Sequence, residues 1–508
     1  MRKFILSLIV CVLTVLPLAA GGGGQQSSSQ GSAPNSLAIV TAPGRLPIVT
    51  QPITLSIGIV QSSNVPDYEN SYLTKFLESN TGIKLDFKFF ASGNDGNTQF
   101  ELMVSSNERL PDIKIGAPPN WEIYGDNGVF IDLTPYYEKY SYFYTERMKE
   151  VGIDERTVRS RTTAPSGKRY AWPGIAAEGV NAYYGMNFIN TKWLDNLGLK
   201  MPATTEEFYN TMIAFRDRDP NRNGQRDEIP WISSVNIWSG QPLQFLINAF
   251  VYYPYDYQVE SNLNVTDGRI WAPWTTEEYR EALRYVNRLH NENIFLSTFF
   301  TLTQAEVAAI VSYQPGEDNK VGFISSGNPS FVPDTPAVYD YTYQVSLTGP
   351  GGVNYYPQTP FVSINATMFI TKDCAYPEAA FRWMDYLHES EVSLAVRYGE
   401  KDVDWRYIRP EENREDSFGL PALFMEVNSL WGISQTKHWY NASGTNLVFK
   451  GDTDGRVKPL GSWNADRWSL FDNRFINDGR DFPEKAIGIA YTQAENNSIN
   501  EIRTSINT

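Results

Sequence analysis

The chain is poor in the residues that build staples and most metal or nucleophile sites: its 508 residues include two cysteines and three histidines. Cys11 falls in an apolar leader, so Cys374 has no internal partner and the fold must rest on its core rather than on disulfides. Three scattered histidines, His290, His388 and His438, argue against a His-rich zinc site. There is no Lys/Arg cluster, and with 43 basic against 58 acidic residues the net charge is −15. That balance repels phosphate backbones and argues against a nucleic-acid partner. Beyond the leader no run is apolar enough to span a bilayer. A G-x-S-x-G elbow, an H-E-x-x-H zinc motif, a nucleotide loop and internal repeats are also missing. What is present is ordinary for a packed globular chain, 42% hydrophobic and 20% charged, with a length that suggests about three domains.

Met1-Arg2-Lys3, the apolar run Phe4–Leu16 and Pro17-Leu18-Ala19-Ala20 have the order of a secretory signal peptide, residues 1–20. Leu18-Ala19-Ala20 also resembles the start of a bacterial lipobox, but Gly21 stands where a lipid-accepting cysteine would be. Anchoring by that route is therefore chemically excluded. Residues 21–52 begin Gly/Ser/Gln-rich and are expected to form a flexible linker with a reach of roughly 30 Å. The expected location is outside the cytoplasm, periplasmic or on the outer face of the cytoplasmic membrane.

From Ile53 the pattern alternates. Ile53–Val60 reads as a buried strand, Asp67–Ser79 as a helix stopped by Asn80-Thr81-Gly82, and Lys84–Phe90 as a strand. Phe100–Ser106 reads as a helix and Asp112–Ile115 as a short strand. Strand, helix, strand, helix, strand predicts a parallel sheet with crossover helices, an α/β fold. Ligands of such sheets sit beyond the carboxyl ends of the strands, here loops near Ser62–Asn64, Ala91–Asn97 and Gly116–Trp121. Later helices open at Thr134-Pro135, at Thr276, at Pro377 and at Thr204, where Glu207 completes a capping box. These acidic helix starts are structural.

Asp219-Pro-Asn221-Arg-Asn223-Gly224-Gln225-Arg-Asp227-Glu228 is the sharpest local motif. Oxygen donors at positions one, three and five with glycine at six match a calcium loop, Gln225 giving its backbone carbonyl and Asp227 a carboxylate. Pro230 occupies position twelve, so Glu228 replaces the usual closing glutamate. A solvated polar turn is the plainer alternative. A cation wrapped in this way would be structural.

Several phrases occur together in one order: Leu110-Pro111-Asp112-Ile113, Phe130-Ile131-Asp132-Leu133-Thr134-Pro135-Tyr136, Gly167–Pro173 and Lys192–Leu199 with Pro202–Phe208. Met368–Leu387 and Tyr398–Trp405 follow. As a set they resemble the extracellular solute-binding proteins (family 1) of bacterial ABC importers, in the lipoprotein-type group that includes alginate-oligosaccharide binders. Lys401-Asp402 departs from the glycine often found there. The resemblance implies a type II periplasmic-binding fold of two lobes, each a mixed sheet flanked by helices, with hinge crossovers and a cleft between. It places lobe 1 at 53–184 plus 362–405 and lobe 2 at 185–361 plus 406–508. It also implies a similar calcium loop, carried onto Asp219, Asn221, Asn223, Gln225, Asp227 and Glu228. The implied function is non-enzymatic: capture of a solute, an oligosaccharide in the first instance, by cleft closure and delivery to membrane permease subunits. A monomer is expected.

The chain holds 13 Trp and 30 Tyr, whose flat apolar faces and polar edges suit sugars. Trp121, Trp172, Tyr183, Tyr184 and Trp405, beside the implied cleft, are candidate ligand residues, with Trp238 and Trp271 in the second lobe. Trp274, Trp431 and Trp463 are weaker candidates. Asn64, Asn120, Lys168 and Arg169 are candidate polar partners. For each aromatic residue, packing in the core is the bland alternative. Two other functions stay open: a secreted glycoside hydrolase, which needs two carboxyl groups facing a scissile bond, or the same fold carrying a peptide or another non-sugar solute.

Overall fold

The computed structural model describes residues 39–151, 153–176, 187–235, 242–254, 263–295, 297–311, 318–326, 340–355, 363–414, 422–428, 430, 433–439 and 456–457. The leader and Gly21 lie outside the described residues. Strands β1 (Ile53–Val60), β2 (Ile83–Phe90), β3 (Ile113–Ile115) and β4 (Trp172–Ala176) come first. β5 (Asn187–Asn190), β6 (Ile229–Ile232), β7 (Asn264–Thr266), β8 (Arg269–Trp271), β9 (Val321–Ser325) and β10 (Tyr341–Tyr343) follow. β11 (Ser363–Ile370), β12 (Trp405–Tyr407), β13 (Phe424–Glu426) and β14 (Arg456–Val457) close the series.

The first four strands and β11 make one mixed sheet in the order β2-β1-β3-β11-β4. β1 runs parallel to β2 and β3, while β11 is antiparallel to β3 and β4. The parallel core matches the alternation expected from the sequence. β11 enters from more than 180 residues later and completes the sheet. A second mixed sheet has the order β10-β5-β9-β6 and takes all its strands from residues 187–343.

Helix starts follow the capping chemistry. Ser71 accepts from Thr74 N at 3.3 Å before the helix Tyr72–Thr81. Thr204 Oγ1 accepts from Glu207 N at 3.2 Å, and the Glu207 carboxylate accepts from Thr204 N at 3.2 Å, closing the expected box before Thr205–Asp217. Thr276 caps Glu277–Asn291, and Pro377 opens Pro377–Tyr386. Each arrangement satisfies helix N–H groups that lack an intrahelical acceptor.

Three expectations need correction. The flexible linker does not extend to residue 52. Ile48 and Val49 are buried, Ile48 N donates to Thr81 O at 2.9 Å, and Arg382 donates to the carbonyls of Thr41 and Arg45 at 2.5 and 2.8 Å. Apolar side chains in an otherwise polar approach segment, clamped by a buried guanidinium, make it a strap on the first core. The loop expected at 91–97 is mostly helix, since Gly93–Ser105 is helical.

Finally, described residues after 405 belong with the first sheet rather than the second. Trp405 and Phe424 pack on Leu394 and Tyr398, and Trp439 packs edge-on to Phe87 at 5.3 Å. Tyr72 N and Leu73 N, at the free start of their helix, donate to Thr436 O and Lys437 O at 2.9 Å. The late segment thus serves as the cap of an early helix.

Candidate functional site

The carboxyl ends of β1, β2 and β3 lie along one edge of the first sheet, because all three run parallel. Asn64 follows β1; it is half-buried, its N bonds Ser62 Oγ at 3.2 Å, and its carbonyl accepts from Gln435 N at 2.9 Å. Asn120 follows β3 in the left-handed region at φ 56° and leads the helix Trp121–Asp126. Trp121 is half-buried, one side tilted against Phe369 of β11 with ring centroids 5.6 Å apart. The turn carrying Lys168 is tied to that helix by Asp126, which accepts from Ser166 Oγ at 2.5 Å and Tyr170 Oη at 3.0 Å. Lys168 itself is exposed. The structure therefore ties the Lys168 turn to the far end of the helix that Asn120 and Trp121 open.

Other candidates are withdrawn into the core. Arg169 is 2% exposed; its guanidinium lies 3.5 Å over the Tyr137 ring and bonds Glu155 at 2.8 Å and Thr162 at 2.9 Å. Trp172 is fully buried, stacked on Tyr137 at 5.1 Å with Phe381 and His388 edge-on. Trp405 is fully buried and donates to Gly399 O at 3.0 Å. None of the three offers a face to a solute here, which corrects their candidacy. An indole in a strand or turn reads alike in sequence whichever way it faces. Trp271 is half-buried in the β7–β8 hairpin, bonding Thr266 Oγ1 at 2.9 Å and packing near Val251 and Ala282. Tyr183, Tyr184 and Trp238 lie outside the described residues.

The Asp219–Glu228 loop joins the helix Thr205–Asp217 to β6. Asp219 accepts from Asn223 N and Gly224 N, both at 3.1 Å, and Asn221 Oδ1 accepts from Asn223 N at 3.2 Å. Asn223 Oδ1 accepts from Gln225 N at 2.7 Å, and its amide donates to Asp227 at 3.2 Å. The chain turns at Gly224, φ 74°. Lys320 pairs with Asp227 at 2.8 Å and holds that carboxyl below its usual range. Glu228 Oε1 is buried without a hydrogen-bond partner, and burial, then the charges of Asp227 and Asp219, raise the Glu228 carboxyl.

Among the described residues no three His, Cys, Asp or Glu side chains gather into a metal group. The donor set here is instead carboxylate, amide and backbone oxygen. It fits a hard cation, because an orphaned buried oxygen among like charges is what such an ion relieves.

Lys114, the central residue of β3, is a further charged residue at this end of the sheet. It is 6% exposed and lies one residue before the end of β3, the strand from which the loop to Trp121 leaves. A three-residue strand gives no periodicity from which its burial is readable.

Two mixed sheets flanked by helices, with ligand-side loops on the first, define a periplasmic-binding fold of type II. The family model described as bacterial extracellular solute-binding protein matches residues 62–392, and the chain belongs to that family. It is 26% identical over 346 residues, 66% of its length, to the fructooligosaccharide ABC transporter substrate-binding protein FusA of Streptococcus pneumoniae serotype 4. It is 25% identical over 342 residues to the lipoprotein LipO of Bacillus subtilis. The aligned part spans 60% and 62% of the length of these two curated relatives. The structure of FusA in complex with kestose superposes with a TM-score of 0.68 at 21% identity, covering 89% of both chains. Alginate-binding AlgQ2 without calcium ion gives 0.64 at 18% identity, over 90% of both chains. No helix among the described residues is long and apolar enough to cross a membrane.

Proposed function

We propose that this chain is the substrate-binding component of an ABC importer that captures an extracellular oligosaccharide and hands it, chemically unchanged, to membrane permease subunits. The observation that carries the reading is the family match over residues 62–392. FusA, a fructooligosaccharide binder of a transporter, supports a sugar as the cargo. The two sheets are the cores of two lobes. The first comprises 53–184 and 362–405 together with the strap and the segment to Trp439, and the second is built on 185–361. The solute lies between them, against Asn64, Asn120, Trp121 and Lys168 on the first lobe. Closure is driven only by the extra contacts the solute makes in the closed form. The chain acts as a monomer, is exported by its leader, and performs no covalent chemistry.

Calcium is held by Asp219, Asn221, Asn223, the Gln225 carbonyl, Asp227 and Glu228. Support comes from the loop geometry, the orphaned Glu228 oxygen, and the EF-hand studied by mutation in FusA. The ion neutralises the clustered carboxylates and fixes the link between a helix and β6.

The test is a thermal-shift panel of neutral and acidic oligosaccharides, peptides and amino acids on the full chain. An oligosaccharide raises the melting temperature, and Trp121→Ala abolishes that shift while the protein without solute melts within a few degrees of the parent. A shift with peptides alone contradicts the reading, as does shortening of the sugar on incubation.

A further inference from the structure

Lys114 sits between Gly58 of β1 and Phe369 of β11 in the sheet register. Its ammonium lies 5.0 Å from the Phe90 ring centroid and 5.9 Å from that of Phe100. Two of its three N–H groups donate to Ile115 O at 2.8 Å and Gly116 O at 3.1 Å. No carboxylate pairs with it among the described residues. Burial alone lowers its titration to about 8. Rings and carbonyls solvate a cation only in part, so a charge at this depth without a counter-ion costs stability. An apolar side chain would suit a position walled by Phe90, Phe100 and Phe369 better.

The position of the ammonium suggests what it awaits. Its two carbonyl partners are the last residue of β3 and the first beyond it, so the charge faces the strand end where solutes bind in this kind of sheet. Gly116 has φ 88°, and a Cβ built on it would meet, within 4 Å and apart from its chain neighbours, one atom among the described residues: Lys114 Nζ at 3.6 Å. The missing side chain leaves a gap over Gly116 whose inner wall is the ammonium. Five residues on stands Trp121, an aromatic face of the kind on which a sugar ring rests.

We propose that the captured solute is an acidic saccharide, whose carboxylate rests over Gly116 and pairs with the Lys114 ammonium. The inference rests on the sugar-binding reading above and narrows its substrate class. A carboxylate there takes the third N–H and supplies the missing counter-charge. A charge-assisted bond in a partly dried site discriminates strongly against a neutral sugar of the same shape, which would leave the cation unpaired.

The deciding experiment is isothermal titration calorimetry of the full chain with trigalacturonate and tri-mannuronate, and with kestose as the neutral comparison. We expect an acidic trisaccharide to bind at least ten-fold tighter than kestose. Lys114→Met should lose ten-fold or more for the acidic sugar, leave the neutral one within two-fold, and melt no lower than the parent. Lys114→Arg retains the charge and covers the case in which the methionine variant fails to fold. In the unaltered chain, NMR of the lysine side chains should show the Lys114 titration moving upward when acidic sugar is added. Binding of kestose with neither acidic sugar bound overturns the inference and leaves the transport reading standing, as do equal affinities of parent and Lys114→Met for an acidic sugar. A static Lys114 titration at saturation also overturns it. If no saccharide of either kind binds, the sugar reading falls and takes this inference with it.

Discussion

The two sheets handle charge in opposite ways. Around the first, Asp112, Lys114, Arg147, Arg169, Arg382, Asp385, His388, Asp404, Glu426 and His438 are all buried. Around the second, residues 187–355 contain no fully buried Asp, Glu, Lys, Arg or His among the described residues, Glu228 being half-buried. Its core is a lattice of rings, with Phe208, Phe295 and Phe299 edge-on to Trp231. Its ion pairs, Arg288 with Glu206, Arg216 with Glu292 and Lys320 with Asp227, stay toward solvent. A buried ionisable group converts pH into stability, whereas exposed pairs contribute little. The first region should therefore sense protons, and the second should sense the cation proposed for its loop.

The largest effects should come from the ring cores of both regions. Trp172→Ala and Trp231→Ala should each cost about 3–5 kcal/mol in urea unfolding, since each removes a fully buried indole. A loss below about 1 kcal/mol in either would mean that the packing described for that core is wrong.

Calcium should separate the regions. At roughly 100 times its dissociation constant it should stabilise by about 2.7 kcal/mol. Chelation with EGTA should lower the melting temperature, and Asp219→Ala or Glu228→Gln should erase the difference. His388→Leu, in the first region, should leave that difference intact. An identical melt with EGTA and with calcium would remove the metal from the account.

Acidification should act on the first region. Burial pushes His388 down to about 3 and His438 down to about 4. Below pH 6.5 the unfolded chain takes up protons that the folded chain refuses. Stability present above pH 6.5 is therefore lost as pH falls, by about 1.4 kcal/mol per unit for each histidine. Asp385 opposes this below about 6, the value to which burial raises it, because its folded form binds the proton first. The net fall between pH 6.5 and 5 should be about 2 kcal/mol in chemical unfolding, and His388→Leu should flatten it. A profile unchanged by that substitution would contradict the burial of His388. The smallest effect should be Thr204→Ala, which opens the capping box of a second-region helix and should cost about 1 kcal/mol at any pH.

Elements whose signals are local were legible in the sequence. β1 shows as an apolar run and β2 as an alternation of apolar and charged residues, the helix from Thr205 shows through its capping box, and the Asp219–Glu228 turn shows through oxygen-bearing residues at fixed spacing. The second half of the helix Gly93–Ser105 was legible from Phe100 on, and its first turns were hidden because Gly93, Asn94, Gly96 and Asn97 read as loop. Yet a Cβ at Gly96 would lie 2.0 Å from Ala91 O, so the close first turn itself demands glycine. The strap and the Trp439 segment were hidden because they depend on contacts hundreds of residues away, such as Arg382 with Thr41 and Trp439 with Thr74 at 2.9 Å. At the candidate site, residue type was readable and direction was not. Trp121 and Trp172 are equal as letters, and only the packing leaves one half-exposed while burying the other.

Small-angle X-ray scattering, recorded on the full chain with and without an oligosaccharide that raises its melting temperature, tests the central claim most directly. The account predicts a smaller radius of gyration at saturation and the sugar recovered intact afterwards. An unchanged curve at full occupancy, or recovery of a cleaved sugar, would contradict it.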